Sequence, residues 1–176
     1  IDKKTIIVNN PTEVRNAPEK LFMLRYPHLL PPTLITQDIT LIEDFRKEHH
    51  DIIIKPLFGN GGAGVFHINK IDENLNSLIE MFVKISKEPL MIQKYIPEVR
   101  NGDKRIILIN GVAKGATNRI PKLGEARSNM HVGGRAEKTK ISDEEYDICA
   151  QIGPDLKKRG LVFVGIDVIG GYLTEI

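Results

Sequence analysis

The chain has a single cysteine, Cys149, in 176 residues. An internal disulfide framework is therefore excluded, and the thiol usage fits a reducing, cytoplasmic setting. Cys149 falls on an apolar helical face, which makes it a core residue rather than a nucleophile. No apolar run approaches the roughly 20 residues of a membrane helix and no signal peptide opens the chain, so no membrane partner is expected. Tryptophan is absent and aromatics make up only 6%. Between Lys94 and Arg135 nine lysines and arginines outnumber Glu98, Asp103 and Glu125, yet that region holds one aromatic, Tyr95. Without a stacking platform or a reading helix, nucleic acid is not the expected partner, and small anions such as nucleotides and carboxylates fit better. The five histidines, at 28, 49, 50, 67 and 131, show no metal-ligand spacing. A Ser/His/Asp or Cys/His constellation is also missing, and so are the H-R-D and D-F-G motifs of a protein kinase.

What remains is 41% hydrophobic and 27% charged residues with a net charge of +2, enough for one sizeable core or two small lobes that share a cleft. The first informative element is Lys55-Pro56-Leu57-Phe58-Gly59-Asn60-Gly61-Gly62-Ala63-Gly64. Gly59 to Gly64 matches G-x-G-x-x-G, but the dinucleotide-binding version of that motif opens a helix. Here the flanks Asp51 to Lys55 and Val65 to Ile68 both read as strands, so the glycines form a flap whose backbone N–H groups can lie over phosphates. Taken alone, the same pattern is also an ordinary glycine hairpin. Lys55 ends an apolar strand, where a lysine either snorkels to the surface or neutralises an anion. A Walker A lysine would follow its glycines and precede Ser or Thr, which excludes a P-loop NTPase.

The second element is the carboxylate pair in Gly165-Ile166-Asp167-Val168-Ile169-Gly170-Gly171-Tyr172-Leu173-Thr174-Glu175-Ile176. A three-residue loop over Gly170, Gly171 and Tyr172 pairs Ile169 with Leu173 and sets Asp167 opposite Glu175; a two-residue loop would put the acids on opposite faces. Opposed like charges need something positive between them, and Mg²⁺ takes one or two carboxylates together with substrate phosphates. Two solvated acids on an edge hairpin are the alternative. Asp167→Asn is expected to weaken Mg-ATP binding and to leave folding nearly unchanged or improved, because one like-charge contact is relieved.

Helices are expected over Pro18 to Tyr26, over Asp38 to His49 with Asp38 as N-cap, and over Asp72 to Ser86, where Leu75, Leu78, Ile79, Phe82 and Val83 follow helical spacing. Ser142-x-x-Glu145 is a capping box for a helix reaching about Arg159, with Pro154 as a kink and Gly160 as the stop. Strands are expected from Pro89 to Tyr95 and, joined at Asn110-Gly111, over Asp103 to Ile109 and Val112 to Arg119. The long segment from Ile120 to Arg135 carries Arg127 and glycine hinges and reads as a lid, or else as a plain surface loop.

Several short motifs then fall in register. Ile53-Ile54-Lys55-Pro56-Leu57-x-Gly59-x-Gly61-Gly62, Gly102-Asp103-Lys104-Arg105, Arg119-Ile120-Pro121, Gly133-Gly134-Arg135, Gln151-Ile152-Gly153-Pro154, Phe163 to Gly170 and Leu173-Thr174-Glu175-Ile176 together resemble the ATP-grasp domain of bacterial-type glutathione synthetase. The resemblance implies an α+β, ATP-grasp fold: two α/β lobes with mainly antiparallel sheets that hold ATP between them. The nucleotide-binding lobe with the flap would cover about 17–95, and the lobe with the lid and the metal-binding hairpin about 96–176. An N-terminal substrate domain and the C-terminal end, with an asparagine two residues after Glu175 as third metal ligand, are expected to lie outside this chain. The isolated piece is then expected to bind nucleotide weakly and to turn over slowly or not at all.

By resemblance the activity is ligation of γ-glutamylcysteine to glycine through an acyl phosphate, with ATP as co-substrate and Mg²⁺, or alternatively Mn²⁺, as cofactor. The implied ATP contacts are Lys20, Lys55, the flap residues Gly59, Asn60, Gly61, Gly62, Ala63 and Gly64, and the adenine hinge Lys94, Tyr95 and Ile96. Asp167 and Glu175 are the implied metal ligands. Arg105, Arg119 and Arg127 are implied anion clamps, with Asn129 in the lid, and the full-length protein is expected to be a homo-oligomer. Another ATP-grasp peptide or amino-acid ligase, or a non-catalytic nucleotide-binding module, would share most of these residues.

Overall fold

A computed structural model describes residues 4–59, 61–125 and 127–176. The chain builds two antiparallel sheets, each backed by helices, in the α+β arrangement that the motifs implied. The first sheet has the order β1 (Thr33–Thr36), β4 (Leu90–Lys94), β2 (Ile52–Pro56) and β3 (Phe66–Ile68). The second has the order β7 (Arg135–Thr139), β6 (Val112–Ile120), β5 (Asp103–Ile109), β8 (Phe163–Ile169) and β9 (Tyr172–Glu175).

Alternation along the strands sends one face of each sheet to a core and the other to a shared cleft. In the first sheet Ile52, Ile54 and Ile92 pack with Ile42 of α2 (Ile39–His49) and with Leu75, Leu78 and Ile79 of α3 (Leu75–Ile85). In the second, Ile106, Leu108, Val164, Ile166, Val168 and Leu173 pack on Ile148, Cys149, Ile152 and Leu156 of α4 (Asp143–Lys158). Cys149 is thus a core residue, and burial pushes its thiol up to about 11, which keeps it protonated and unreactive.

Local signals explain most element ends. Asp38 caps α2 by accepting from the Thr40 amide at 2.8 Å. Ser142 and Glu145 close a reciprocal capping box at α4, and Glu145 also takes the Lys104 ammonium at 2.7 Å, tying the helix to β5. Asn110 and Gly111 both have positive φ, as the tight turn between β5 and β6 requires.

Three expectations fail. The segment from Pro18 to Tyr26 is not an α-helix: it forms short 3₁₀ turns at Phe22–Arg25 and Pro27–Leu29. Pro27 holds Tyr26 out of helical geometry, and Phe22 and Met23 are drawn into the core. Val83 follows helical spacing on α3 but is 46% exposed, so the apolar stripe of that helix is wider than its contact. A further helix, α1 (Pro11–Asn16), forms where none was expected. Its sequence signal, Asn10 as N-cap followed by proline at the first helical position, was legible.

The third failure matters most. The β8–β9 loop contains two residues, Gly170 and Gly171, both at positive φ, so Ile169 pairs with Tyr172 and Val168 with Leu173. By that register Asp167 would face Thr174. A bulge between Asp167 and Val168 resets the pairing, Thr174 becomes the extra residue, and Asp167 lies opposite Glu175 after all. The pairing of the acids was anticipated, but the loop that was to produce it is wrong.

Candidate active site

Sheet register alone collects the polar groups of the cleft. Asp103 and Arg105 are two apart on β5 and share a face; Asp103 pairs with Arg119 of β6, and Arg105 with Asp167 of β8. Through the bulge Glu175 joins the same face. From the first sheet, Lys55 and Gln93 point the other way from buried Ile54 and Ile92 and close the cleft from across.

Between the sheets lies a cavity of about 110 Å³, lined among others by Lys55, Gln93, Tyr95, Asp103, Asp167 and Glu175. That is smaller than the 300–1,000 Å³ common for ligand pockets. Arg127, Ser128 and Asn129, from the segment expected to be a lid, form part of its wall.

Glu175 Oε1 sits 3.8 Å from both the Lys20 and the Lys55 ammonium groups. Lys20 also donates to the Gly59 carbonyl at 3.1 Å, which fastens it to the start of the flap. Burial pushes the Lys55 ammonium down from its ordinary value, against the pull of Glu175. It likewise pushes the Glu175 carboxyl up to about 7, which the charges of Glu19 and Asp167 reinforce and Lys55 opposes. Lys20 and Lys55 thus meet two acids under the glycine flap, Glu175 and, at 3.3 Å from Lys20, Glu19, and the two ammonium groups are the donors there that suit a phosphate chain.

Asp167 is held by Arg105 in a bidentate pair and by Arg119 Nη2 at 2.7 Å. Arg119 also donates to Asp103, whose Oδ2 accepts from the Ser128 hydroxyl at 2.7 Å. Asp103 Oδ1 and Arg119 Nε are buried with no hydrogen-bond partner among the described residues. Burial, reinforced by the nearby Asp167 charge, pushes the Asp103 carboxyl up to about 6. An unpaired acceptor and an unpaired donor in one cleft are costly unless a ligand completes them.

The positive charge that the opposed acids need is therefore supplied by four basic side chains. Among the described residues no group of three His, Cys, Asp or Glu residues forms a ready metal cage. The donor set still suits a hard cation: two carboxylates in register beside a phosphate-sized cradle are what Mg²⁺ uses when substrate oxygens complete its shell.

Arg127, the third expected clamp, stands apart from the other two. Its guanidinium makes a bidentate pair with Glu125, at 2.9 and 2.7 Å, and donates to the Gly62 carbonyl at 3.2 Å. Asn129 lies beneath the same glycine, where a Cβ on Gly62 would come within 2.6 Å of its Oδ1. Lid and flap thus touch. Gly61, Gly62 and Ala63 line a small cavity with Lys20 and Glu175, and Gly64 packs on Pro56; Asn60 lies outside the described residues.

At the hinge, the Lys94 amide donates to the Pro32 carbonyl at 3.0 Å and the Tyr95 amide to the Asp51 carbonyl at 2.8 Å. Both donors are thus spent within the protein, and Ile96, the third expected hinge residue, lines the cavity. The Lys94 side chain is exposed, and the Tyr95 ring stacks on His67 of β3 with centroids 4.0 Å apart. Asp103, Gln93, Ser128 and Thr174 line the cleft but were not anticipated as site residues. For Asp103 the signal was its place in Gly102-Asp103-Lys104-Arg105, two residues before an expected clamp.

Residues 19–176 match the family model for the ATP-grasp domain of prokaryotic glutathione synthetase. Over its full length the chain is 58% identical to glutathione synthetase of Brucella melitensis biotype 1 and 57% identical to that of Mesorhizobium japonicum. In each case it spans 56% of the relative, so the chain covers about half the length of the curated relatives it matches. Among solved structures it resembles the D-cycloserine synthetase DcsG with a TM-score of 0.73 at 15% identity, over 98% of this chain and 65% of that one. That likeness concerns the fold, which is ATP-grasp. Among the described residues no helix is long and apolar enough to cross a membrane.

Proposed function

The chain belongs to the prokaryotic glutathione synthetase ATP-grasp domain family, and from that premise we propose that its parent protein is an ATP-dependent ligase joining γ-glutamylcysteine to glycine. The observation that carries this reading is the convergence, between two sheets, of Lys20 and Lys55 on Glu175 and of Arg105 and Arg119 on Asp167, beneath a glycine flap. Such a site neutralises phosphate and carboxylate charge. That is the demand of acyl phosphate chemistry.

In this reading Lys20, Lys55 and the flap amides from Gly59 to Gly64 hold the triphosphate. The hinge from Lys94 to Ile96 seats adenine through the Ile96 amide and neighbouring carbonyls. A carboxylate oxygen of γ-glutamylcysteine attacks the γ-phosphorus, the bond to ADP breaks, and an acyl phosphate forms. The glycine amine then attacks the acyl carbon and inorganic phosphate leaves as the amine loses a proton. Arg105 and Arg119 hold the developing phosphoryl charge with the donors that Asp167 does not use, the Arg119 Nε among them. Arg127 and Asn129 arrive with the lid and exclude water from the acyl phosphate. Asp167 and Glu175 would hold Mg²⁺, which would supply neutralisation of the phosphate oxygens.

The flap-bearing part, about 17–95, serves as the nucleotide lobe, and about 96–176 as the lobe of the lid and metal hairpin. A cytoplasmic homo-oligomer, with no nucleic-acid or membrane partner, is the setting we assign.

The test follows phosphate release from Mg-ATP by the full-length protein, with both substrates present and with each omitted or replaced. Release that requires γ-glutamylcysteine and glycine, with glutathione as product, is expected. Turnover only with another acceptor pair would retain the ATP-grasp chemistry and discard the glutathione assignment.

A further inference from the structure

A chain of polar contacts connects the adenine hinge with the flap by way of the lid. Arg100, on the 3₁₀ turn Pro97–Asn101, donates from Nε to the Tyr95 hydroxyl at 3.0 Å and from Nη1 to the Glu125 carbonyl at 2.7 Å. The Glu125 carboxylate in turn accepts the Arg127 guanidinium at 2.9 and 2.7 Å and the Arg127 amide at 3.2 Å. Arg127 then reaches the Gly62 carbonyl of the flap. The first member is itself fixed: the Tyr95 ring lies against His67 at 19° between planes, and its amide is bonded to Asp51.

From this geometry we propose that Arg100 is a positioning residue that couples the hinge to lid closure. It lies behind the cleft wall, on Tyr95, without lining the cleft itself, and acts by holding the lid backbone at Glu125 so that Arg127 is delivered over the flap. The fork geometry of arginine suits the role, because its separate N–H groups reach acceptors on two segments in fixed directions, whereas an ammonium would hold them from a single point. The two acceptors belong to the hinge and to the lid, so one rigid group ties Glu125 to the fixed Tyr95. The inference of a lid that serves catalysis rests on the proposed ligase reading; the bridge itself stands without it.

Leu123 is fully exposed at the lid tip, and cleavage beside it by thermolysin reports lid opening. In the full-length protein without nucleotide, Arg100→Met, which keeps the aliphatic stem, and Tyr95→Phe, which keeps the ring against His67, are each expected to speed that cleavage about tenfold, within the range of ordinary coupling energies. Because both act on one bridge, the double variant should be no faster than either single one. Arg100→Lys should recover only part of the protection. Unchanged cleavage in Arg100→Met, or additive effects in the double variant, would overturn the proposal. Melting temperatures identify any variant that fails to fold; Arg100 is exposed, so little change is expected.

With γ-glutamylcysteine, glycine and Mg-ATP supplied, Arg100→Met should lower kcat about tenfold while KM for ATP changes less than about threefold. A rise in KM alone would place Arg100 in nucleotide binding and overturn its role in the lid. If the wild type makes no glutathione while the cleavage pattern holds, the ligase reading falls and the bridge survives.

Discussion

Thr174 is the extra residue in the β8–β9 pairing, and its hydroxyl donates to the backbone carbonyl of Asp167 at 3.1 Å. One side chain thus closes the bulge that turns Glu175 toward the cleft. Thr174→Val keeps the β-branched shape and removes the donor. It should cost about 1–2 kcal/mol in chemical denaturation, the usual penalty for leaving a buried acceptor short of a partner. It should also weaken Mg-ATP binding, because Glu175 is no longer held in register. Unchanged nucleotide affinity, measured by calorimetry, would show that the bulge holds without this bond.

Asp167→Asn should destabilise the fold, contrary to the expectation drawn from sequence. Asp167 is 3% exposed and answers both Arg105 and Arg119. Removing its charge leaves two guanidinium groups with Asp103 as their nearest acid, and breaking a buried pair from one side costs about 3 kcal/mol or more. Urea denaturation of wild type and variant decides between the two expectations.

Stability without nucleotide should rise on mild acidification. The Asp103 carboxyl stands at about 6 and that of Glu175 at about 7 in the folded chain, both above ordinary acid values. The folded state therefore binds more protons than the unfolded one between about pH 4 and pH 7. The stabilisation is full below the unfolded values and is lost as pH rises through the folded ones. Melting temperature recorded from pH 8 down to pH 5 should increase, and Asp103→Asn, which mimics the protonated acid, should flatten part of that slope. A melting temperature that falls over this window would contradict the raised values.

Gly62→Ala should impair nucleotide binding more than folding. Gly62 has a φ of +80°, where alanine is strained by about 1–2 kcal/mol, and its Cβ would meet Asn129 Oδ1 at 2.6 Å and Arg127 Cδ at 3.1 Å. Lid and flap would have to separate. Mg-ATP affinity compared with melting temperature tests this: a large thermal loss with intact affinity would assign the glycine to the fold instead.

Much of the architecture was written locally. The alternation from Ile52 to Lys55, the Asn110-Gly111 turn and the Ser142–Glu145 box are short-range signals, because propensity, pleat and capping act over a few residues. Lys55 beside the flap glycines and the paired acids were singled out by residue type and order, whereas Lys20, Arg105 and Arg119 were named through the resemblance to the family. Lys20 and Lys55 do meet at Glu175, and Arg105 and Arg119 do share an anion.

What satisfied those groups could not be read from the sequence. A two-residue turn between β5 and β6, continued without interruption, pairs Asp103 with Asn118; a bulge between Ile107 and Leu108 moves it opposite Arg119. A second bulge sets Glu175 opposite Asp167. One extra residue in a strand reverses which face every later side chain takes, and nothing in the residue types announces where it falls. By itself the sequence determined most of the strands, the Asn110-Gly111 turn and the charged groups available to the cleft. The tertiary structure decided their partners, because register, bulges and burial act between segments tens of residues apart.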